Sequence, residues 1–338
     1  MVVQRVTASV VRRQVRHVVP VPVASAAGLV ANVYAQVAEE MRIVPPPALL
    51  HSPSPEVLAA FWALFREPLA GSAADRLTKE AVAAAVSVAN ACPYCAQMHT
   101  AGVYELGTAD DAEALADDRV GDIADHRLRA VAAWARHAHR AGSTARLPAD
   151  VGAAERAELV ALLVAFHYTA RMVNVFLPTF LFPPRLGPGG RRRLQQGLGR
   201  LLRPVLRKPR PVGRATALLP PAGGPGLAAP AARVDAAFEA AGRRAVPPAV
   251  RELVAGHVAG WRGEDPGFGS GWCEDAIAPL APGDRPAARL ALLTALVSHR
   301  VTDEVVEAFR RRRPDDAGLV DTAAWASHLA ATTIGRRI

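Results

Sequence analysis

The stretch Glu80-Ala-Val-Ala-Ala-Ala-Val-Ser-Val-Ala-Asn-Ala-Cys92-Pro-Tyr-Cys95-Ala-Gln-Met-His99 decides the reading of this chain. Its first part is rich in Ala and free of Pro and Gly, which favours helix. Pro93, a residue suited to the first position of a helix, opens a second helix that ends near Gly107. On that helix Cys92 stands at the N-terminus, Cys95 one turn on and His99 a further turn beyond, so all three share a face. Two thiols at that spacing can close a disulfide with little backbone motion. Helix N-terminal amides and a nearby imidazole both stabilise a thiolate. A thiolate attacks the O–O bond of a peroxide, and the resulting sulfenic acid condenses with a neighbouring thiol. Glu80, beside Val82, Ala83 and Val86, is expected to be partly desolvated, with its pKa raised toward that of a useful proton acceptor. The expected relay has Glu80 taking a proton from Cys92, through water, while His99 serves Cys95.

Helical patterns continue on both sides. Thr78 is read as the cap of the helix that carries Glu80. Upstream, Ala24–Met41 places Leu29, Val33, Val37 and Met41 on one stripe and stops at Val44-Pro-Pro-Pro. Pro55–Arg66 carries Leu58, Phe61, Trp62 and Phe65 at helical spacing. Downstream, Ala124–Ala141 and Ala153–Leu177 read as two more helices. From Val234 helical signals resume, broken by Gly267-Phe-Gly-Ser-Gly and by Arg313-Pro314. No alternating strand pattern occurs, and the fold class is read as all-α, a helical bundle.

The chain has 338 residues and a net charge of +9. That charge is local. Residues 183–232 hold ten Arg or Lys, no Asp or Glu and ten Pro, so the remainder of the chain is near −1. Such a composition reads as a linker. The cluster from Arg191 to Arg214 lacks aromatics for base stacking, so no nucleic-acid partner is expected. The expected organisation is an irregular leader at 1–24, a catalytic unit at 25–182, a basic linker at 183–232 and a second helical unit at 233–338. Ala161-Leu-Leu-Val-Ala-Phe is similar to Ala291-Leu-Leu-Thr-Ala-Leu, which suggests a degenerate internal duplication whose second copy lacks the cysteine pair. Arg12, Arg13 and Arg16 precede an apolar stretch loosely like a signal peptide, but Pro20 and Pro22 break it. No apolar run is judged long enough to span a bilayer, and no membrane partner is expected.

Three cysteines are too few for a secreted disulfide scaffold; in a reducing cytoplasm, the expected location, a close pair reads as catalytic, redox-active or metal-binding. Zinc would need a fourth, remote ligand such as Cys273, His51 or His167, and no metal is expected. Cys-Pro-Tyr-Cys also matches a glutaredoxin site, but that fold surrounds the motif with βαβ structure. His167, in Phe166-His-Tyr-Thr-Ala-Arg171-Met-Val-Asn174, reads first as a satisfied core histidine and second as a residue positioning substrate; Tyr94 is a further positioning candidate. Cys273 beside Trp272 reads as a buried hydrophobe. Gly267–Gly271 lacks the following Lys and preceding strand of a phosphate loop.

Glu, eleven residues, Cys, two, Cys, three, His is similar to the signature of the alkylhydroperoxidase D and carboxymuconolactone decarboxylase superfamily. The four residues are Glu80, Cys92, Cys95 and His99, and the resemblance covers about residues 25–180. It implies an all-α homo-oligomer without cofactor, with Cys95 as the peroxide-attacking cysteine, Cys92 as its resolving partner and Glu80 and His99 as the proton relay. It also implies a hydroperoxide substrate and an external dithiol reductant. The C-terminal half resembles the second, degenerate unit of long two-unit relatives. One departure stands out: alkylhydroperoxidase D has a histidine immediately before its second cysteine, where this chain has Tyr94. The decarboxylase branch lacks the cysteine pair. The expected function is therefore a thiol-dependent peroxidase or disulfide oxidoreductase, with a non-enzymatic redox sensor or a structural zinc module as the alternatives.

Overall fold

The computed structural model describes residues 12–183, 185–219, 229–267 and 269–338. Parts of three expected segments lie outside them: the start of the leader, residues 220–228 of the linker and Phe268 of the Gly-rich loop. The described residues form fifteen α-helices and four short 3-10 turns, with no strand among them. The all-α reading holds.

The first half contains α1 (Gly28–Met41), α2 (Pro46–Leu49), α3 (Pro55–Ala70), α4 (Arg76–Ala89), α5 (Pro93–Leu106), α6 (Ala109–Ala116), α7 (His126–His137) and α8 (Ala153–Phe176). Next comes α9 (Pro188–Leu206). The second half contains α10 (Pro230–Ala245), α11 (Pro248–Gly260), α12 (Gly271–Ile277), α13 (Arg285–Val297), α14 (Asp303–Arg310) and α15 (Asp316–Gly335). The quoted repeat segments fall in α8 and α13, helices of 24 and 13 residues.

Local chemistry explains where the site helices begin and end. Asp75, not Thr78, caps α4: its carboxylate accepts from the Thr78 amide at 2.9 Å and from the Thr78 hydroxyl at 2.6 Å. Asp precedes the helix and Thr sits at its third position, which is how a side-chain cap satisfies an orphan N–H. Asp125 likewise caps α7 through the Leu128 amide, so that helix starts later than its pattern suggests. Between α4 and α5 the chain reverses through Ala91, whose φ of 48° is left-handed. The Cys92 amide then donates to the Ser87 carbonyl at 2.9 Å. This turn sets Cys92 at the N-cap of α5 with Pro93 behind it.

The two longest helices, α8 and α15, pack together in the middle of the molecule. Phe61 of α3, Tyr168 of α8, Phe238 of α10 and Val320 of α15 share one apolar core. The rings of Tyr168 and Phe238 stand 4.9 Å apart. Full burial of each such side chain contributes about 1.5–3 kcal/mol, so the halves share their largest favourable term. Contrary to the sequence reading, one helix does match a bilayer span by length and composition: α8. Yet 78% of its apolar window is buried within the fold, and its hydrophobicity is that of a core helix.

The segment read as a linker departs from expectation. Residues 188–206 form α9, which lies along α5. The approach is close because Gly199 has no side chain: a Cβ there would stand 2.4 Å from the Ala101 carbonyl oxygen. Gln195 donates to Thr100 Oγ1 at 2.6 Å. The arginines find carboxylates on the first half. Arg192 pairs with Glu113 at 2.8 Å, Arg203 with Glu105 at 2.5 Å and Arg214 with Glu39 at 2.9 Å. Arg210 is buried and meets Glu40, which also binds the buried Arg66. A segment that is polar in composition therefore docks through complementary charge and an apolar edge at Leu202, Val205 and Leu206.

The leader is also tied down. The Arg16 amide donates to the Phe176 carbonyl at 2.7 Å, and the Val19 amide donates to Asp316 at 2.7 Å.

Candidate active site

Helices α4 and α5 lie against each other and bring Glu80 and His99 together. His99 Nδ1 donates to Glu80 Oε2 at 2.8 Å. The other carboxylate oxygen, Oε1, accepts from Arg76 Nε at 2.8 Å and lies 2.7 Å from Arg76 Nη2. Arg76, one turn before Glu80, has no part in the sequence reading; an i,i+4 Arg–Glu pair on an otherwise apolar helix is its signal.

The carboxylate is almost fully buried. Burial alone would push its pKa up, as the sequence reading expects. The Arg76 guanidinium and the His99 imidazole outweigh burial and hold it down at about 2. This reverses the expected direction of the Glu80 pKa, and both carboxylate oxygens are engaged, Oε1 by Arg76 and Oε2 by His99. Its physical role is to fix the His99 ring with the proton on Nδ1, which leaves Nε2 as the basic nitrogen. The ring is further held edge-on against Phe166, with centroids 4.5 Å apart.

Cys92 and Cys95 are both buried free thiols. They are in hydrogen-bonding contact, and burial together with the neighbouring Cys92 pushes the Cys95 thiol up. Cys95 thus needs a base to ionise in the surroundings it has in the dithiol state.

Cys95, Glu80 and His99 line one chamber of about 180 Å³. Its other walls are apolar: Phe61, Trp62 and Phe65 from α3, Met98 from α5, and Leu202, Val205 and Leu206 from α9. The expected linker therefore supplies one side of the site, which sequence composition concealed. Tyr94 lines the chamber too, and its hydroxyl donates to Gln14 of the leader at 2.8 Å. His167 does not: it is buried in a different polar cluster with Asn90 and Arg171. The remaining side chains weighed as remote zinc ligands are occupied elsewhere. His51 binds the Pro47 carbonyl and the Tyr168 hydroxyl, and Cys273 is packed in the core of the C-terminal half. Among the described residues no group of three or more His, Cys, Asp or Glu stands close enough to hold a metal ion.

The profile of the carboxymuconolactone decarboxylase family matches residues 55–137, which run from α3 to α7 and include the whole Glu80–His99 stretch. Over 329 residues the chain is 35% identical to an alkyl hydroperoxide reductase of Mycobacterium tuberculosis, covering 95% of this chain and 94% of that protein. No solved structure matches the chain. The chain belongs to the alkylhydroperoxidase D-like and carboxymuconolactone decarboxylase superfamily.

Proposed function

We propose that this protein reduces organic hydroperoxides through the Cys92–Cys95 dithiol, with Cys95 as the attacking sulfur. The observation that carries the reading is the chamber: Cys95 and His99 line it, while Cys92 does not. Its apolar walls suit an alkyl hydroperoxide. The 35% identity to a protein named alkyl hydroperoxide reductase supports the same chemistry.

In the first step His99 Nε2 takes the Cys95 proton, and the thiolate attacks the distal peroxide oxygen. The O–O bond breaks, sulfur gains one oxygen as sulfenic acid, and the alkoxide leaves with a proton returned from His99 as an alcohol. Glu80 stabilises the imidazolium that forms between these transfers. In the second step Cys92 attacks the sulfenic sulfur, the S–S bond forms and water leaves. A dithiol reductant, such as a reduced protein in a reducing cytoplasm, then returns both thiols by exchange. Tyr94 and the apolar wall from α9 position the substrate.

The test is a count of free thiols before and after one equivalent of cumene hydroperoxide, in the native chain and in Cys92→Ser and Cys95→Ser. The reading requires the loss of two thiols in the native chain and no peroxide-dependent loss in Cys95→Ser. Unchanged thiol counts in the native chain would overturn it.

A further inference from the structure

A second chamber, of about 170 Å³, has no cysteine in its walls; it is lined by both halves of the chain, with Asn90, Arg136, His139, His167, Arg171 and Trp261 among its residues. Residues 139–141 and 261–263 are stitched together beside it, the Ala141 amide donating to the Arg262 carbonyl at 2.7 Å.

Its inner wall is built around Arg171, which is 3% exposed. Arg171 Nε donates to the Ala295 carbonyl at 2.9 Å. Nη1 donates to Asn90 Oδ1 at 2.6 Å and to the His167 carbonyl at 2.8 Å. The guanidinium lies 5.9 Å from the centre of the Trp261 ring. Among the described residues, Nη2 has no acceptor and no carboxylate pairs with the group. Burial pulls its pKa down to about 9. The acids at the mouth do not neutralise it: Glu264 and Asp265 are exposed, and Asp265 is bound by Arg300 at 2.7 Å.

His167 adds an independent observation. Its Nδ1 accepts from Asn90 Nδ2 at 2.9 Å and lies 3.2 Å from Arg171 Nη1. The amide orientation is set because Asn90 Oδ1 receives Arg171, so Nδ2 faces the ring. With Nδ1 an acceptor, the neutral imidazole carries its proton on Nε2. That Nε2–H is buried without a partner. His139, whose ring centre is 6.3 Å away, also has a buried unpartnered nitrogen, Nδ1. Buried donors without acceptors are rare in folded proteins, and here His167 Nε2–H is one, in the wall of the chamber that Arg171 also lines.

We propose that this chamber binds a small oxyanion, a carboxylate or phosphate group, through Arg171 Nη2 and His167 Nε2–H. With Nε and Nη1 committed to protein acceptors, Nη2 keeps two N–H donors for oxygens of either group. Arg140, exposed at the mouth, adds positive charge on the approach. The site is independent of the peroxide chemistry, although Asn90 links it to the turn that carries Cys92.

The test is calorimetric titration of the full chain with sodium phosphate and, separately, sodium acetate, against sodium chloride at equal ionic strength. One of the two anions should bind saturably at one site, and affinity should fall about tenfold or more in Arg171→Gln and in His167→Phe. The two arms distinguish phosphate from carboxylate. Should Arg171→Gln not fold, long-range proton–nitrogen NMR of the native chain decides: His167 must carry its proton on Nε2, and that resonance must move on titration. Absence of saturable binding by either anion, undiminished binding in His167→Phe, or a stationary Nε2 resonance would overturn the proposal and leave the chamber to water.

Discussion

Gly102 stands where α5 faces Glu80, and it makes room for the carboxylate: a Cβ on Gly102 would sit 2.7 Å from Glu80 Oε2 and 2.8 Å from its Cγ. Gly102 is three residues after His99, so the same face of α5 that presents the imidazole also vacates the space for its partner. Gly102→Ala should displace the Glu80 carboxylate from His99. Hydroperoxide turnover with a dithiol reductant should fall about tenfold or more, since a misplaced acid–base group forfeits much of its contribution. The stability cost of the added methyl should be about 1–3 kcal/mol. Steady-state peroxide consumption alongside chemical denaturation separates the two effects; unchanged turnover in a folded variant would refute this account of Gly102.

Glu80 makes the fold acid-sensitive in a defined window. Its pKa falls from an ordinary 4.5 to about 2 on folding. Between those values the unfolded chain takes up a proton that the folded carboxylate refuses, so stability is lost as pH drops from about 5 toward 2. The full effect is about 3 kcal/mol. Denaturant midpoints measured at pH 5 and pH 3 should drop more for the native chain than for Glu80→Gln, and parallel drops would remove Glu80 from the explanation.

The two cysteines should separate kinetically. Cys95→Ser should abolish peroxide consumption. Cys92→Ser should retain one round of oxidation and accumulate a sulfenic acid at Cys95, detectable by mass spectrometry after trapping with a cyclic 1,3-diketone. A trapped adduct on Cys92 in the Cys95→Ser chain, with none in the reverse variant, would exchange the two roles.

Glu40 holds α1, α3 and the segment after α9 together through Arg66 and Arg210, all three side chains buried. Removing one member of a buried charge cluster leaves the others uncompensated, at a cost of about 3–5 kcal/mol. Glu40→Ala should lower the thermal midpoint and expose residues 185–219 to limited proteolysis before the rest of the chain. Digestion of that segment at the native rate would mean that Arg210 does not anchor it.

The nearness of the four candidate residues was readable from the chain because they lie on, or cap, two adjacent helices joined by a three-residue turn. Short-range periodicity places Cys92, Cys95 and His99 on one face, and it needs no knowledge of distant contacts. Arg76 lies on the same helix as Glu80, yet the sequence reading left it out. Hydrophobic neighbours argued for a raised Glu80 pKa, and only the paired guanidinium and imidazole reverse that sign. The caps at Asp75 and Asp125 were likewise local, the first three residues before the expected Thr78 and the second one residue after the expected start at Ala124.

The helical class, the helix pair that carries the dithiol and the spacing of its thiols and imidazole were determined by the sequence alone, since each follows from residues within a few turns of one another. Which residues enclose the site was decided by the tertiary structure. Composition marks residues 183–232 as a solvated linker, but Gly199, Arg203 and Arg210 find their partners on α5 and α1. His167 and Arg171 owe their exclusion from the dithiol chamber to Asn90 and Ala295. Packing and charge pairing between segments far apart in the chain have no signature in either segment by itself, because the energy of such contacts exists only once both surfaces meet.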